Sequence, residues 1–280
     1  MPAAGGPTCP PTCRWSDTLW AVLSARVAVG VLSLAAVSAV PVVVAAPAGA
    51  ATPVLTAREV LGRSVEGRPI VLVHRTTDAT VAAAAAGQPT RTVLVIGTIH
   101  GDEQAGLRVF RRLRARDSLP VGLDLWLVRT VNPDGTAHDV RTNAHGVDLN
   151  RNFPYLWHRS PRGATWSGPR PLSEPESVLL HDLVLRLQPD LTLVFHQPLF
   201  GVGASDKGMP MVRALAAGMR LPVDEFHCSG ICYGTFTGWV NNRTAGLSVT
   251  VEFGHRVRSW RIGRAVRTVL EVGLTGPLPT

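Results

Sequence analysis

The residues best suited to chemistry lie in the stretch GTIHGDEQAG, where His100 and Glu103 follow an apolar, β-branched run. An imidazole and a carboxylate three residues apart can both bind a metal ion, and at the end of a strand they would lie at the edge of a sheet. The pair alone is a weak signal, because this spacing is common by chance and a histidine after a strand is more often a hydrogen-bonded core residue. A metal site therefore needs support from other parts of the chain.

Two further apolar runs end in residues of the same kind. PDLTLVFHQP ends in His196, and SVTVEFGH contains Glu252. Two histidines with a carboxylate form a known catalytic zinc set that leaves a fourth position for water, and another carboxylate can take a proton from that water. The joint pattern predicts a metal site built from strand ends.

A long stretch from about residue 135 to 172 has little periodicity and is rich in Asn, Gly, Pro, Arg and Trp. A loop of this length inside a compact domain is usually functional. It contains a cluster of polar residues that favours a built site: Arg141, Asp148, Asn150, Arg151 and Asn152. The planar fork of arginine suits carboxylates and oxyanions. The alternative is that solvated arginines only anchor the loop.

The remaining pattern predicts strands alternating with helices. Strands are expected at 69–75 and 92–99, and Ser173 with Glu176 has the spacing of a capping box at the start of a helix. We also expect a short helix after Thr56, and a flexible loop in TVAAAAAGQPT. Such alternation predicts a single α/β domain with a mostly parallel or mixed central sheet covered by helices on both faces. Ligands of these sheets bind outside the carboxyl ends of the strands.

The first fifty residues have the pattern of an export signal. Val27–Ala46 carries no charge, follows Arg14 and Arg26, and precedes an A-x-A pattern at Ala48 to Ala50. The stretch is also long enough to serve as an uncleaved membrane anchor. We therefore expect residues 1–50 to be a leader or anchor and residues 51–280 to form a secreted or cell-envelope domain outside the cytoplasm.

The chain is strongly basic, with 28 Lys and Arg against 20 Asp and Glu, a net charge of +8. Removal of Arg14, Arg26 and Asp17 with the leader lowers this to +7. The sequence contains no basic run interleaved with aromatic residues, which is the pattern typical of proteins that bind a nucleic-acid strand. We therefore expect no nucleic-acid partner. We predict dispersed, solvated arginines, with the anionic cell envelope as their natural counter-surface.

Two of the four cysteines, Cys228 and Cys232, lie beyond the leader. Their spacing can close a small loop, and an exported domain permits a disulfide. Zinc is the weaker interpretation of this pair, because no second pair completes a cysteine-rich site.

The sequence resembles the zinc carboxypeptidase family over about residues 57–275. The resemblance rests on GRSVEGRPI, GTIHGDE, VNPDG, RTNAHGVDLNRNFP, SGPRPLSEPES, FHQP and TVEFG in order. Within the family it is most similar to the bacterial murein peptide amidase branch, which shares GVDLNRNFP, SEPE and the nine-residue step from Arg141 to Asn150. The carboxypeptidase-like fold would then hold one zinc ion per chain.

The resemblance implies a role for each matching residue. His100, Glu103 and His196 would bind zinc, and Glu252 would be the general base. Arg141 would stabilise the oxyanion, and Asn150 with Arg151 would bind the free carboxylate of the substrate. Tyr233 would close over the substrate, although the segment after it is shorter than in close relatives.

The implied activity is hydrolysis of an amide next to a free carboxyl end, in peptides derived from peptidoglycan. We also expect the protein to be a monomer. In the murein branch this amide joins γ-D-Glu to meso-diaminopimelate. Asp206 and His227 lie in the stretch that would meet the diaminopimelate side chain. The alternatives are a general metallocarboxypeptidase that releases L-amino acids and an inactive module that binds the cell envelope.

Overall fold

The structure is a computed structural model that describes residues 53–226 and 233–279. The expected leader and the Cys228–Cys232 pair lie outside the described residues, so both predictions stay predictions. Within the described ranges, no helix has the length and apolar content needed to cross a bilayer.

Eight strands of the described chain form one mixed sheet in the order β1-β2-β4-β3-β5-β8-β6-β7. The strands are β1 (Val54–Arg63), β2 (Pro69–Thr77), β3 (Arg91–Ile96), β4 (Leu123–Val128), β5 (Leu191–His196), β6 (Gly201–Gly203), β7 (Val223–Asp224) and β8 (Leu247–Glu252). The central pairs β4–β3, β3–β5 and β5–β8 are parallel, whereas β1–β2, β2–β4 and β6–β8 are antiparallel. The predicted α/β fold with a mixed sheet is confirmed.

Seven α-helices of the described chain cover this sheet. They are α1 (Asp78–Ala85), α2 (Ala105–Arg114), α3 (Pro133–His138), α4 (Pro175–Leu187), α5 (Met209–Met219), α6 (Phe236–Arg243) and α7 (Ser259–Thr275). Successive residues of a strand point to opposite faces. Val93 and Val95 of β3 accordingly join the core under α2, α5 and α7. Leu94 and Ile96 join the core under α4 and α6. The helices therefore lie on both faces, as predicted.

Two expectations for the segment between residues 56 and 90 are wrong. The segment after Thr56 is the antiparallel strand β1, because it pairs with β2 across the turn at residues 64–67. Most of β1 is exposed, so its sequence lacks the alternation that marks a half-buried strand. The alanine-rich segment is helix α1, because alanine is the strongest helix former and the Thr77 side chain caps Thr80 N.

The predicted capping box at the start of α4 is also wrong. Glu174 is the N-cap residue, and the Ser173 hydroxyl donates to its carboxylate at 2.7 Å. Glu176 Oε1 accepts a hydrogen bond from Val65 N at 3.1 Å. Glu176 therefore binds the turn that follows β1, and neither Ser173 nor Glu176 closes the helix end as a capping box would.

Candidate active site

The residues predicted to do chemistry meet at one edge of the sheet. His196 is the last residue of β5 and Glu252 the last of β8, and the two are direct register partners. His100 follows the neighbouring strand β3, four residues after Ile96. Because these three strands are parallel neighbours, their carboxyl ends bring the side chains together.

His100, Glu103 and His196 form a compact cluster that could hold a metal ion, with their ligand atoms all within 4.8 Å of one another. Glu103 lies between the two rings, with Oε1 2.7 Å from His100 Nδ1 and Oε2 2.8 Å from His196 Nδ1. All three side chains are buried. The donor atoms therefore converge on one point in the interior.

Asp148 contacts both His100 of this cluster and the neighbouring Arg141. Its Oδ1 lies 3.1 Å from His100 Nε2, and its Oδ2 accepts hydrogen bonds from Arg141 Nε and Nη2 at 3.1 and 2.9 Å. A carboxylate on the far nitrogen of a metal-binding histidine fixes the ring orientation and tautomer. The sequence placed Asp148 only in a polar loop cluster, without this positioning contact.

The electrostatics of the cluster favour positive charge. Burial acts to lower the pKa of His100, but the nearby Asp148 and Glu103 carboxylates outweigh it and raise that pKa to about 9. Burial acts to raise the pKa of Glu103, yet His196 and His100 hold it well below its usual range. The site thus keeps its carboxylates ionised in a water-poor interior.

This donor set fits zinc. Two imidazole nitrogens and one carboxylate are ligands that zinc accepts in catalytic sites, where a fourth position is left for water or substrate. Calcium and magnesium prefer sets made of oxygen alone. The ionised Glu103 carboxylate provides a negatively charged ligand for a divalent cation.

Glu252 lies beside the cluster and lines the same cavity of about 420 Å³. Its carboxylate is buried, and Oε2 accepts a hydrogen bond from Leu199 N at 3.2 Å. Burial raises the pKa of this carboxyl. The position suits a group that exchanges a proton with a molecule bound at the cluster.

Three residues of the long loop line the same cavity: Arg141, Asn150 and Arg151. Arg141 Nη1 donates to Glu103 Oε1 at 3.1 Å, which brings its guanidinium to the metal cluster. Asn150 Oδ1 accepts from Phe236 N at 3.0 Å, and Arg151 Nη1 donates to the Asn150 carbonyl at 2.7 Å. The loop therefore presents cationic and amide groups to any anion in the cavity.

Another part of the cavity wall is built from small and hydroxyl-bearing residues: Gly203, Ala204, Thr235, Thr237, Gly238 and Thr250. The hydroxyls of Thr237 and Thr250 lie 3.0 Å apart. Glu225 adds a carboxylate to this lining. No sequence motif marks Glu225. Asp206, which the sequence suggested, is not among the described lining residues, and His227 lies outside the described part.

Tyr233 packs edge-on against His158, with ring centroids 4.1 Å apart. The described residues that line the cavity do not include it. Its predicted closure over the substrate therefore stays a prediction.

Comparison with known proteins agrees with this geometry. The family model for zinc carboxypeptidase matches residues 47–198, which is more than half of the chain. The chain therefore belongs to the zinc carboxypeptidase family and is a hydrolase of that family. The matched range contains six of the eight predicted site residues, whereas Tyr233 and Glu252 lie beyond it.

Among curated relatives, murein peptide amidase A of Escherichia coli K12 is 35% identical over 151 residues, 49% of this chain and 58% of that protein. Murein peptide amidase A of Vibrio campbellii is 28% identical over 208 residues, 68% of this chain and 77% of that protein. The alignment with the E. coli protein thus spans little more than half of its length.

Solved structures share the fold. Murein-tripeptide amidase MpaA of Escherichia coli O157 aligns with a TM-score of 0.57 at 26% identity, over 74% of this chain and 90% of that chain. Carboxypeptidase A of Helicoverpa armigera aligns with a TM-score of 0.63 at 18% identity, over 76% of this chain and 67% of that one. The second likeness supports the fold alone.

Proposed function

We propose that this chain is a zinc-dependent amidase that cleaves the bond between γ-D-Glu and meso-diaminopimelate in murein peptides, outside the cytoplasm. The observation that carries the proposal is the convergence of three groups on one cavity. These are the His100–Glu103–His196 cluster, the buried Glu252 and the anion-binding side of the long loop. The names of the relatives supply the substrate class.

The protein side of the reaction follows from these positions. Zinc held by His100, Glu103 and His196 would supply Lewis-acid polarisation of water and of the scissile carbonyl. Glu252 accepts the proton of the attacking water and later delivers it to the leaving amine. Its place at the end of β8, as the register partner of His196, supports this role.

Arg141 stabilises the charge that develops on the carbonyl oxygen. Its guanidinium already reaches Glu103, and Asp148 holds it by two hydrogen bonds. A donor of this kind lowers the barrier of acyl transfer by about 3–4 kcal/mol. Because Asp148 also contacts His100, one carboxylate positions both groups.

Asn150 and Arg151 bind the free carboxylate at the end of the substrate. They line the same cavity as the metal cluster, so a substrate held there by its end presents its last amide to Glu252. The planar guanidinium and the amide provide donors that match a carboxylate. Cleavage then releases one terminal residue.

The part of the cavity wall that is built from small and hydroxyl-bearing residues supports a diaminopimelate side chain in particular. That side chain ends in an ammonium and a carboxylate, which need both acceptors and donors when they enter a cavity. The cavity is lined by Thr235, Thr237 and Thr250, whose hydroxyls can each donate and accept hydrogen bonds. Glu225 offers a negative charge for the ammonium. An aromatic or aliphatic side chain could make neither the hydrogen bonds nor the ion pair that these groups offer.

The test is incubation of the zinc-loaded full chain with L-Ala-γ-D-Glu-meso-diaminopimelate, and separately with L-Ala-γ-D-Glu-L-Lys and an α-linked L-tripeptide. Products are identified by mass spectrometry. The proposal expects free diaminopimelate and faster turnover of the first peptide than of both others. Equal or faster cleavage of the α-linked peptide would instead make the chain a general carboxypeptidase. No cleavage of any of them would favour the inactive binding module.

A further inference from the structure

The arginines of this protein are concentrated on one surface, contrary to the dispersed pattern expected from the sequence. We define the basic face as α2, α5 and α7 with their flanking residues, which are ranges 105–117, 209–220 and 255–275. It carries twelve arginines and two acidic residues, Asp117 and Glu271, for a net charge of +10. The rest of the described chain carries 14 basic and 17 acidic residues, for a net charge of −3.

The three helices form a continuous surface because side chains of one bind the backbone of the next. Arg108 Nη1 donates to Val257 O at 2.7 Å, which joins α2 to the start of α7. Arg261 Nη1 donates to Arg220 O at 2.7 Å, which joins α7 to the end of α5. The apolar sides of all three helices pack into the same core, so their charged sides point outward together.

The positive charge of the basic face is not neutralised from within. Among the described residues, no ion pair joins any of its arginines to an acidic side chain. Burial, and after it the neighbouring Arg264, lowers the pKa of Arg261. Most of these arginines, including Arg111, Arg258 and Arg267, are exposed. Such a field attracts a large anionic partner.

One end of the basic face carries exposed aromatic and aliphatic side chains. Trp260 is 47% exposed and Phe200 41%, and the Arg261 guanidinium lies 4.6 Å from one ring and 4.8 Å from the other. Leu199 beside them is 59% exposed and also lines the catalytic cavity. Tryptophan beside arginine is the pairing that proteins use at the level of lipid headgroups.

We propose that the basic face docks on a bilayer surface that contains anionic phospholipids, with Trp260 and Phe200 entering the headgroup layer. Charge complementarity supplies the attraction, and the exposed rings favour lipid over a purely ionic polymer. The uncharged stretch Val27–Ala46 ends only seven residues before the first described residue, Pro53, so the chain itself offers a segment apolar enough to enter the same bilayer. Docking by this end would hold the mouth of the cavity beside the membrane. The inference is independent of the proposed substrate.

The test compares binding of the full chain to vesicles of phosphatidylcholine and to vesicles with 30% phosphatidylglycerol, at about 0.15 M salt, by co-sedimentation. The face variant is R111Q/R258Q/R267Q. The matched control is R58Q/R63Q/R159Q, which removes the same charge from exposed sites off the basic face. Each arginine near an anionic surface contributes about fivefold, so the face variant should lose roughly 100-fold of the phosphatidylglycerol-dependent partition. The control should change it little, and W260A should also weaken it.

Three results would overturn the proposal. Equal loss in both triple variants would mean that net charge alone is responsible. Equal binding of the full chain to both vesicle types would remove the role of anionic lipid. Binding to duplex DNA at the same salt, with equal or higher affinity than to the anionic vesicles, would assign the basic face to nucleic acid. Hydrolysis of a soluble peptide serves as a separate readout, because none of the substituted residues lines the cavity.

Discussion

His196 and Glu252 stand directly opposite each other on the last rung of the parallel β5–β8 pair. One belongs to the metal cluster, and the other carries a buried carboxylate held by Leu199 N. Neighbouring parallel strands thus place a predicted ligand and a predicted base side by side, without any contribution from a flexible loop. The account of catalysis depends on this pairing.

Glu252→Gln keeps the shape of the side chain but removes its ability to accept a proton. We expect zinc binding to be unchanged and kcat to fall by about 10²–10⁴, the usual contribution of a general acid–base group. Zinc content and turnover are measured on the same sample, with the exposed Glu271→Gln as control. Loss of zinc from the Glu252 variant would show that its role is misassigned.

His196→Ala removes one of the three converging donors. We expect zinc affinity to fall by more than the roughly 10–100-fold that loss of an outer-sphere partner costs. Competition with a chelator gives the affinity, and His138→Ala, which changes an exposed histidine, should leave it unaltered. An unaltered affinity in the His196 variant would remove this residue from the ligand set.

Asp148→Asn keeps the volume but removes the charge that faces His100 and Arg141. We expect a roughly 10–100-fold loss of zinc affinity or activity, because the histidine loses the carboxylate that orients it. Asp206→Asn, at an exposed aspartate that does not line the cavity, is the matched control. If both variants bind zinc and turn over substrate like the parent, Asp148 has no positioning role.

Gly101 lies so close to Gly135 of helix α3 that a Cβ on Gly101 would overlap the Gly135 backbone. Gly101→Ala should therefore displace the segment that carries His100 and Glu103, and lower both stability and zinc affinity. A cost above about 2 kcal/mol is expected for such an overlap with backbone. Gly263→Ala, inside α7 with only the flexible Arg112 side chain nearby, should instead be neutral or stabilising by up to about 1 kcal/mol. Urea denaturation compares the two variants.

Asp134 anchors the turn between β1 and β2. Its carboxylate accepts hydrogen bonds from Ser64 Oγ at 2.7 Å, Glu66 N at 3.0 Å and Arg68 Nη1 at 2.8 Å. Burial acts to raise the pKa of Asp134, but these hydrogen bonds outweigh it and lower that pKa. The stabilisation is therefore present above the unfolded-state pKa of about 3.9 and is lost as the pH falls through the lower folded value.

Asp134→Asn should accordingly cost about 1–3 kcal/mol at pH 7. The difference in free energy of unfolding between parent and variant should shrink as the pH falls from about 5 towards 3. Denaturation series at several pH values measure it. A difference that is constant across this range would contradict the role of the charge.

The core of the site could be predicted from sequence because its residues follow buried strands. His100, His196 and Glu252 each end or follow an apolar run, and neighbouring parallel strands must end at the same edge. Glu225 could not be found this way, because its place in the cavity depends on the pairing of two strands of three and two residues. The basic face could not be predicted from the sequence either, because its arginines come from three separate segments that only tertiary packing brings together.

The most direct test of the central claim is anomalous diffraction at the zinc edge from crystals of the zinc-loaded chain. The account predicts one strong peak bound by His100 Nδ1, His196 Nδ1 and the Glu103 carboxylate, with Glu252 beside it and not coordinating. A peak at any other set of side chains, or zinc coordinated by Glu252 in place of Glu103, would contradict it.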